Sequence, residues 1–118
     1  MRRIKNVSII KRLQSEWVTL IAASGLKKGD LVKISANSTA APCASGNIPC
    51  GVCINTDGKY ACVQLGGYAK VKYSGTAPAL GNAVVAADGN GGVKTATTGM
   101  SVLVVSVNTA DTTAEIVF

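Results

Sequence analysis

Four cysteines, Cys43, Cys50, Cys53 and Cys62, fall within twenty residues of one another. Clustered thiols can hold zinc or close disulfides. The intervening gaps are six, two and eight residues, so the cluster holds a single C-x2-C pair. A zinc ribbon usually offers two such knuckles. Cys53 and Cys62 fall inside the strands of a predicted hairpin, where a free cysteine behaves as a small hydrophobe. Buried free thiols are therefore the first reading, zinc the second and structural disulfides the third. No metal and no cofactor are expected.

Acid–base chemistry is poorly supplied. The chain has no histidine, the commonest general base. Asp30, Asp57, Asp88 and Asp111 stand among turn residues, where an aspartate caps its own backbone. Glu16 lies at the edge of the basic N-terminal segment, and Glu115 lies on a predicted strand with its side chain turned to solvent. Gly89-Asn90-Gly91-Gly92 is glycine-rich but precedes neither a helix nor the lysine of a phosphate loop. The expectation is a protein that is not an enzyme.

Binding chemistry is better represented. The predicted strand from Tyr68 to Tyr73 places Tyr68, Lys70 and Lys72 on one face, with Tyr60 nearby in sequence. Tyrosines beside lysines can stack and neutralise a single nucleic-acid strand. The same lysines equally protect a sheet edge from aggregation.

Net charge is +6. Residues 1–16 carry five basic groups against Glu16, or +4, and the rest carries seven lysines against five acids, or +2. The excess thus sits in an arm, which interleaves Arg2, Arg3, Lys5, Lys11 and Arg12 with Ile4, Val7, Ile9 and Ile10. Its pattern is neither helical nor strand-like, so an extended segment ordered by a partner is expected. Trp17, the only tryptophan, is the expected anchor where arm meets body. These ten residues are the candidate contact set. A basic arm also has the plainer use of a solvated tail.

Val, Thr and Gly abundance and the lack of helical periodicity predict an all-β protein. The chain divides into the arm, 1–16, and one β domain, 17–118. Predicted strands run over 17–22, 31–35, 51–55, 59–65, 68–73, 83–87, 93–96, 100–107 and 113–118. Residues 36–49, with Pro42 and Pro49, read as a loop. Asp57-Gly58 between apolar runs is a hairpin signal. No stretch is long and apolar enough to span a membrane, and no signal-peptide pattern is seen, so a soluble, non-secreted protein is expected.

The second half repeats the first. At an offset of 53, Gly46 meets Gly99, Val52 meets Val105, Asn55-Thr56 meets Asn108-Thr109, and Ala61 meets Ala114. At 52, Gly29-Asp30-Leu31-Val32 meets Gly81-Asn82-Ala83-Val84. Two copies are too few for a solenoid. The predicted fold is a small β-barrel or compact sandwich with two pseudo-repeated halves and an extended N-terminal arm.

The order of short motifs resembles a known family. Gly25-Leu26-Lys27-Lys28-Gly29-Asp30-Leu31-Val32 is followed by Gly51-Val52-Cys53-Ile54 and Val63-Gln64-Leu65-Gly66-Gly67. Leu80-Gly81-Asn82-Ala83-Val84, an Asp-Gly turn, Val93-Lys94-Thr95 and a closing strand complete it. This resembles the capsid cement, or head decoration, proteins of tailed bacteriophages, from which the chain departs in its four cysteines and its longer, basic arm. The resemblance implies a structural protein that binds the outer surface of a phage capsid and stabilises the lattice. It implies the major capsid protein as partner, a homo-oligomer on the capsid (a trimer favoured over a dimer), and a place on the virion after assembly in the host cytoplasm. The alternative is a small β-barrel that binds single-stranded nucleic acid. No membrane partner is expected.

Overall fold

The computed structural model describes residues 16–118, all of them in strands, turns and loops, with no helix among them. The expected arm contacts from Arg2 to Arg12 lie outside the described residues. Ten strands follow in order: β1 (Glu16–Ala22), β2 (Leu31–Ala36), β3 (Thr39–Pro42), β4 (Gly51–Thr56), β5 (Tyr60–Gly66), β6 (Tyr68–Lys72), β7 (Gly81–Ala87), β8 (Val93–Thr95), β9 (Met100–Asn108) and β10 (Thr113–Val117).

The repeat is real, and each copy is a five-stranded unit. β1 to β5 form a closed barrel in the order β1-β3-β2-β4-β5, and β6 to β10 form a sheet in the order β6-β10-β9-β7-β8. Every pairing in the first unit has its counterpart in the second. Only the seam differs. In the first unit β1 and β3 pair in parallel. In the second, the equivalent seam is the single parallel bridge between Tyr73 and Val93. Closing the sheet on itself removes the exposed strand edges that invite aggregation.

Hydrogen bonds repeat in detail. The Ala22 N–H donates to the Lys59 carbonyl at 2.9 Å, and the Tyr73 N–H donates to that of Thr112 at 3.0 Å. The Ala23 N–H donates to the Ala40 carbonyl at 2.8 Å, and the Ser74 N–H to that of Val93 at 2.9 Å. A β-bulge interrupts β4 against β5 at Ile54, and another interrupts β9 against β10 at Val105.

These equivalences correct the sequence alignment. The bulges set the β4 to β9 offset at 105 − 54 = 51, while Lys59 to Thr112 gives 53. The second hairpin is two residues longer, which no single offset can absorb. Cys53 therefore corresponds to Val104, not to Ser106.

Residues 36–49 are not all loop, as expected, because Thr39–Pro42 forms β3 and closes the first barrel. In the run Thr-Ala-Ala-Pro only Thr39 favours a strand. Its small side chains let it fit between β1 and β2, and Ala40 is fully buried there. The turn before it holds Ser38 at a φ of 54°.

Two clusters make up the core. Val32, Ala40, Cys53, Ala61 and Val63 fill the first barrel with Leu26. The second cluster fills the second unit with Val71, Tyr73, Val85, Val93, Val102, Val104 and Ile116, and it also includes Leu31, Cys43 and Val52. Leu31 and Val32 are adjacent on β2, yet both are buried, because one face lines the first barrel and the other abuts the second unit. Backbone bonds clamp the same junction. The Leu31 N–H reaches the Gly91 carbonyl at 3.3 Å, and the Gly46 and Ala87 N–H groups reach the carbonyls of Ala87 and Asn47 at 2.9 Å each. The buried Gln64 adds its amide, donating to the carbonyls of Gly66 and Tyr68 at 3.2 and 3.0 Å.

Candidate docking surface

Strand alternation decides what each side of β1 does. Val18, Leu20 and Ala22 point into the first barrel. Trp17, Thr19 and Ile21 point out. Of the sequence-predicted contact residues, Trp17 is the one placed among the described residues, and it is 63% exposed. Its expected role as an anchor for the arm involves residues outside those described.

The antiparallel register extends this outward row onto β5. Ile21 stands opposite Tyr60, Thr19 opposite Cys62, and Trp17 opposite Gln64. Directly opposed residues on one face lie about 5 Å apart, close enough to act as one surface. Ile21 and Tyr60 are both exposed. The Lys59 ammonium lies 5.5 Å from the centre of the Tyr60 ring. Trp17, Ile21 and Tyr60 thus form an apolar, aromatic stripe along the outer wall of the first barrel. Sequence reasoning singled out Trp17 and missed Ile21 and Tyr60 as its companions. The signal was the Trp-x-Thr-x-Ile alternation, readable only once the inward side of β1 is known.

The tyrosine–lysine face divides differently. Lys70 and Lys72 are exposed on β6 and Tyr68 is half-buried, as alternation predicts. The Tyr68 hydroxyl is buried. Tyr60 belongs to the first barrel, opposite Ile21, and does not join the Tyr68 row, whose partner is Val117 on β10.

All four cysteines are free thiols. Cys43 and Cys53 are buried, whereas Cys50 and Cys62 are half-buried, so the expected burial of Cys62 does not hold. Cys53 faces the first core, and Cys62 lies on the opposite side of the wall, opposite Thr19. Among the described residues no three metal-ligating side chains converge. Burial pushes the Cys43 thiol up to about 11, with the neighbouring Cys50 acting in the same direction. Burial raises Cys50 and Cys53 as well. Raised thiols are poor nucleophiles at neutral pH.

The aspartates hold loops. Asp57 Oδ1 accepts from the Tyr60 and Lys59 N–H groups at 2.8 and 2.9 Å, and these bonds lower its pKa. Asp88 Oδ2 accepts from the Ser74 hydroxyl at 2.6 Å, and Oδ1 from the Asn90 and Gly92 N–H groups at 2.7 and 3.1 Å. Burial alone would raise Asp88, but these bonds outweigh it and hold the carboxyl below its ordinary value. Asp30 Oδ2 accepts from the Lys27 N–H at 3.0 Å, and Asn108 and Asp111 bond each other across their turn. Glu115 is half-buried on β10, opposite Lys70. Of these acids, Asp88 holds the Ser74 hydroxyl and Asp30 shares a shallow concavity with Cys43.

A concavity of about 820 Å³ lies on the second unit, across the wall of β7, β9 and β10. Val84, Leu103, Val117 and Phe118 line it together with Asn82, Thr95, Thr97 and Ser101, and among the described residues none of its lining side chains is charged. No known protein-family description matches this chain, and no curated protein matches it in sequence.

Proposed function

We propose that this chain is a non-enzymatic structural protein that binds the outer surface of a tailed-phage capsid and stabilises the lattice. The observation that carries this reading is the exposed stripe of Trp17, Ile21 and Tyr60 on a rigid barrel wall, continuous with the start of the arm. A side chain as large as tryptophan, left in water on a strand, is useful when a second surface covers it. The motif order quoted above gives that surface its identity, with the major capsid protein as partner and other copies of this chain, as trimers, around it. The tandem of a closed barrel clamped to a second five-stranded sheet suits a clip across a joint between capsid subunits. Many modest contacts on one lattice add through multivalency. In the proposal the basic arm, from Arg2 to Arg12, steers docking and adds backbone contacts to a neighbouring sheet. The protein would act on the virion after assembly in the host cytoplasm.

The test is sedimentation of the purified protein with expanded empty capsids, with DNA as the competing partner. Full-length protein should pellet with capsids, and a truncation beginning at Ser15 should pellet at least ten-fold more weakly while keeping its β spectrum. Trp17→Ser should weaken attachment in the same direction. Equal decoration by the truncated chain would move docking to the barrel loops. A chain that ignores capsids and binds DNA, with affinity falling steeply as salt rises, would be a nucleic-acid protein instead.

A further inference from the structure

We infer that the apolar groove on the second unit is the seat of this chain's own N-terminal segment, residues 1–15. Three features converge on that occupant. The first is where the segment departs. β1 begins at Glu16, whose register partner is Gly66. A side chain at Gly66 would lie 3.4 Å from the Phe118 carbonyl, and Gly67 and Phe118 exchange two backbone bonds of 3.0 Å. Phe118 and Val117 are themselves walls of the groove. The segment therefore leaves the barrel beside the mouth of the cavity, although the cavity belongs to the other unit.

The second feature is length. Fifteen extended residues span about 50 Å, and crossing from β10 over β9 to β7 needs only two strand spacings, about 10 Å. The third is chemistry. The segment carries Ile4, Val7, Ile9 and Ile10 among five basic groups. The groove is lined mainly by apolar side chains, with Asn82 and Ser101 among them and no charged one among the described residues, and Leu103 within it is 44% exposed. Isoleucine and valine side chains can fill it while the arginines and lysines stay in water, as long basic side chains do at apolar surfaces. Tethering next to the mouth gives the chain's own segment a millimolar effective concentration, which a second copy lacks in dilute solution. A segment seated here does not add a strand to a neighbouring sheet, so the inference competes with that part of the arm's proposed role, whereas capsid docking through the Trp17 stripe is independent of it.

The experiment uses the full chain. Trypsin should cut at Arg3, Lys5, Lys11 and Arg12 at least ten-fold more slowly in the intact protein than in a synthetic peptide of residues 1–15. Leu103→Asp places a charge on the floor of the groove at an exposed position. It should restore cutting to near the peptide rate with the β spectrum unchanged. Amide resonances of Ala83, Ser101, Leu103 and Val117 should differ between the full chain and the truncation beginning at Ser15, independently of protein concentration. Cutting of the intact chain at the peptide rate, or resonances on this face that ignore the truncation, would overturn the inference. Resonance differences that grow with concentration alongside dimer formation would also overturn it, because the groove would then hold the segment of a second copy. If Leu103→Asp unfolds the protein, Ser101→Lys at the exposed position on the same floor carries the same expectation.

Discussion

Side-chain chemistry in this protein is spent on holding loops and filling cores. Asp88 shows the first use. Its two oxygens gather Ser74, Asn90 and Gly92, and so shape the loop whose Gly91 carbonyl meets Leu31 of the other unit. Its folded pKa is lowered, so its contribution is complete above the ordinary value of 3.8 and is lost as pH falls through the lower folded value. Asp88→Ala should therefore destabilise by roughly 1–2 kcal/mol at neutral pH, with the difference from the parent vanishing in strong acid. Urea melts at neutral pH and below pH 3 would check both limits. The thiols show the second use. Cys43, at about 11, is raised above its usual 9.0, so its contribution is present below pH 9 and lost as the pH rises toward 11. In the native protein iodoacetamide should reach Cys62 first and leave Cys43 and Cys53 unmodified until unfolding, as peptide mass spectrometry would read. Labelling of Cys53 before Cys62 would contradict the placement of the two thiols on opposite sides of the wall.

At the level of strands, most of the architecture was readable from sequence, and the failures have physical causes. Nine strands were placed by alternation and turn residues to within a residue or two. β3 was missed because Thr39-Ala40-Ala41-Pro42 has one β-branched residue, Thr39, no aromatic one and a proline, and its place is dictated by the gap between β1 and β2. The Asp57-Gly58 turn was found, but only Gly58 has positive φ, and Asp57 contributes through its side chain instead. Burial on β2 was half readable: Val32 inside a barrel follows from alternation, whereas Leu31 is buried by a unit the local pattern cannot reveal. The Trp17 stripe was visible as one residue of three. Strand packing gives its own prediction at Gly51. A Cβ there would collide with the Gln64 carbonyl of the neighbouring β5 and crowd Val63. Backbone cannot yield as a flexible side chain can, so Gly51→Ala should destabilise by about 1–3 kcal/mol. Gly46→Ala, where positive φ is the only objection and nothing lies nearby, should cost less. Thermal melts of the two variants would rank them, and a harmless Gly51→Ala would mean the β4–β5 contact is looser than described.

The whole molecule raises the question of whether a duplicated protein behaves as one body or two. Each unit has its own set of five strands, so separate melting is the natural expectation for a simple tandem. The cores argue otherwise. The second cluster is completed by Leu31, Cys43 and Val52 from the first unit, and Leu31 is 1% exposed. The second unit's seam is a single bridge, against a paired seam in the first, so it depends more on what the neighbour covers. Bonds also cross the junction, from Leu31, Gly46, Ala87 and Gln64 and from the Lys94 ammonium to the Ser45 hydroxyl at 2.8 Å. Losing the first unit would therefore open the second unit's core to water, and the two should unfold together. Calorimetry should give one transition whose measured and van't Hoff enthalpies agree. Leu31→Ala removes the largest side chain at the junction and should cost about 2–5 kcal/mol. It should also weaken the coupling, so the second unit, with its weaker seam, melts first and a shoulder grows on the low-temperature side. Val63→Ala, inside the first barrel alone, should lower stability without splitting the transition. Two transitions in the parent protein, or no difference in shape between these variants, would mean that the units are stable alone and that the junction merely joins them. A single rigid body matters for the proposed role, because a clip transmits load between two capsid subunits only if its halves cannot part before the lattice does.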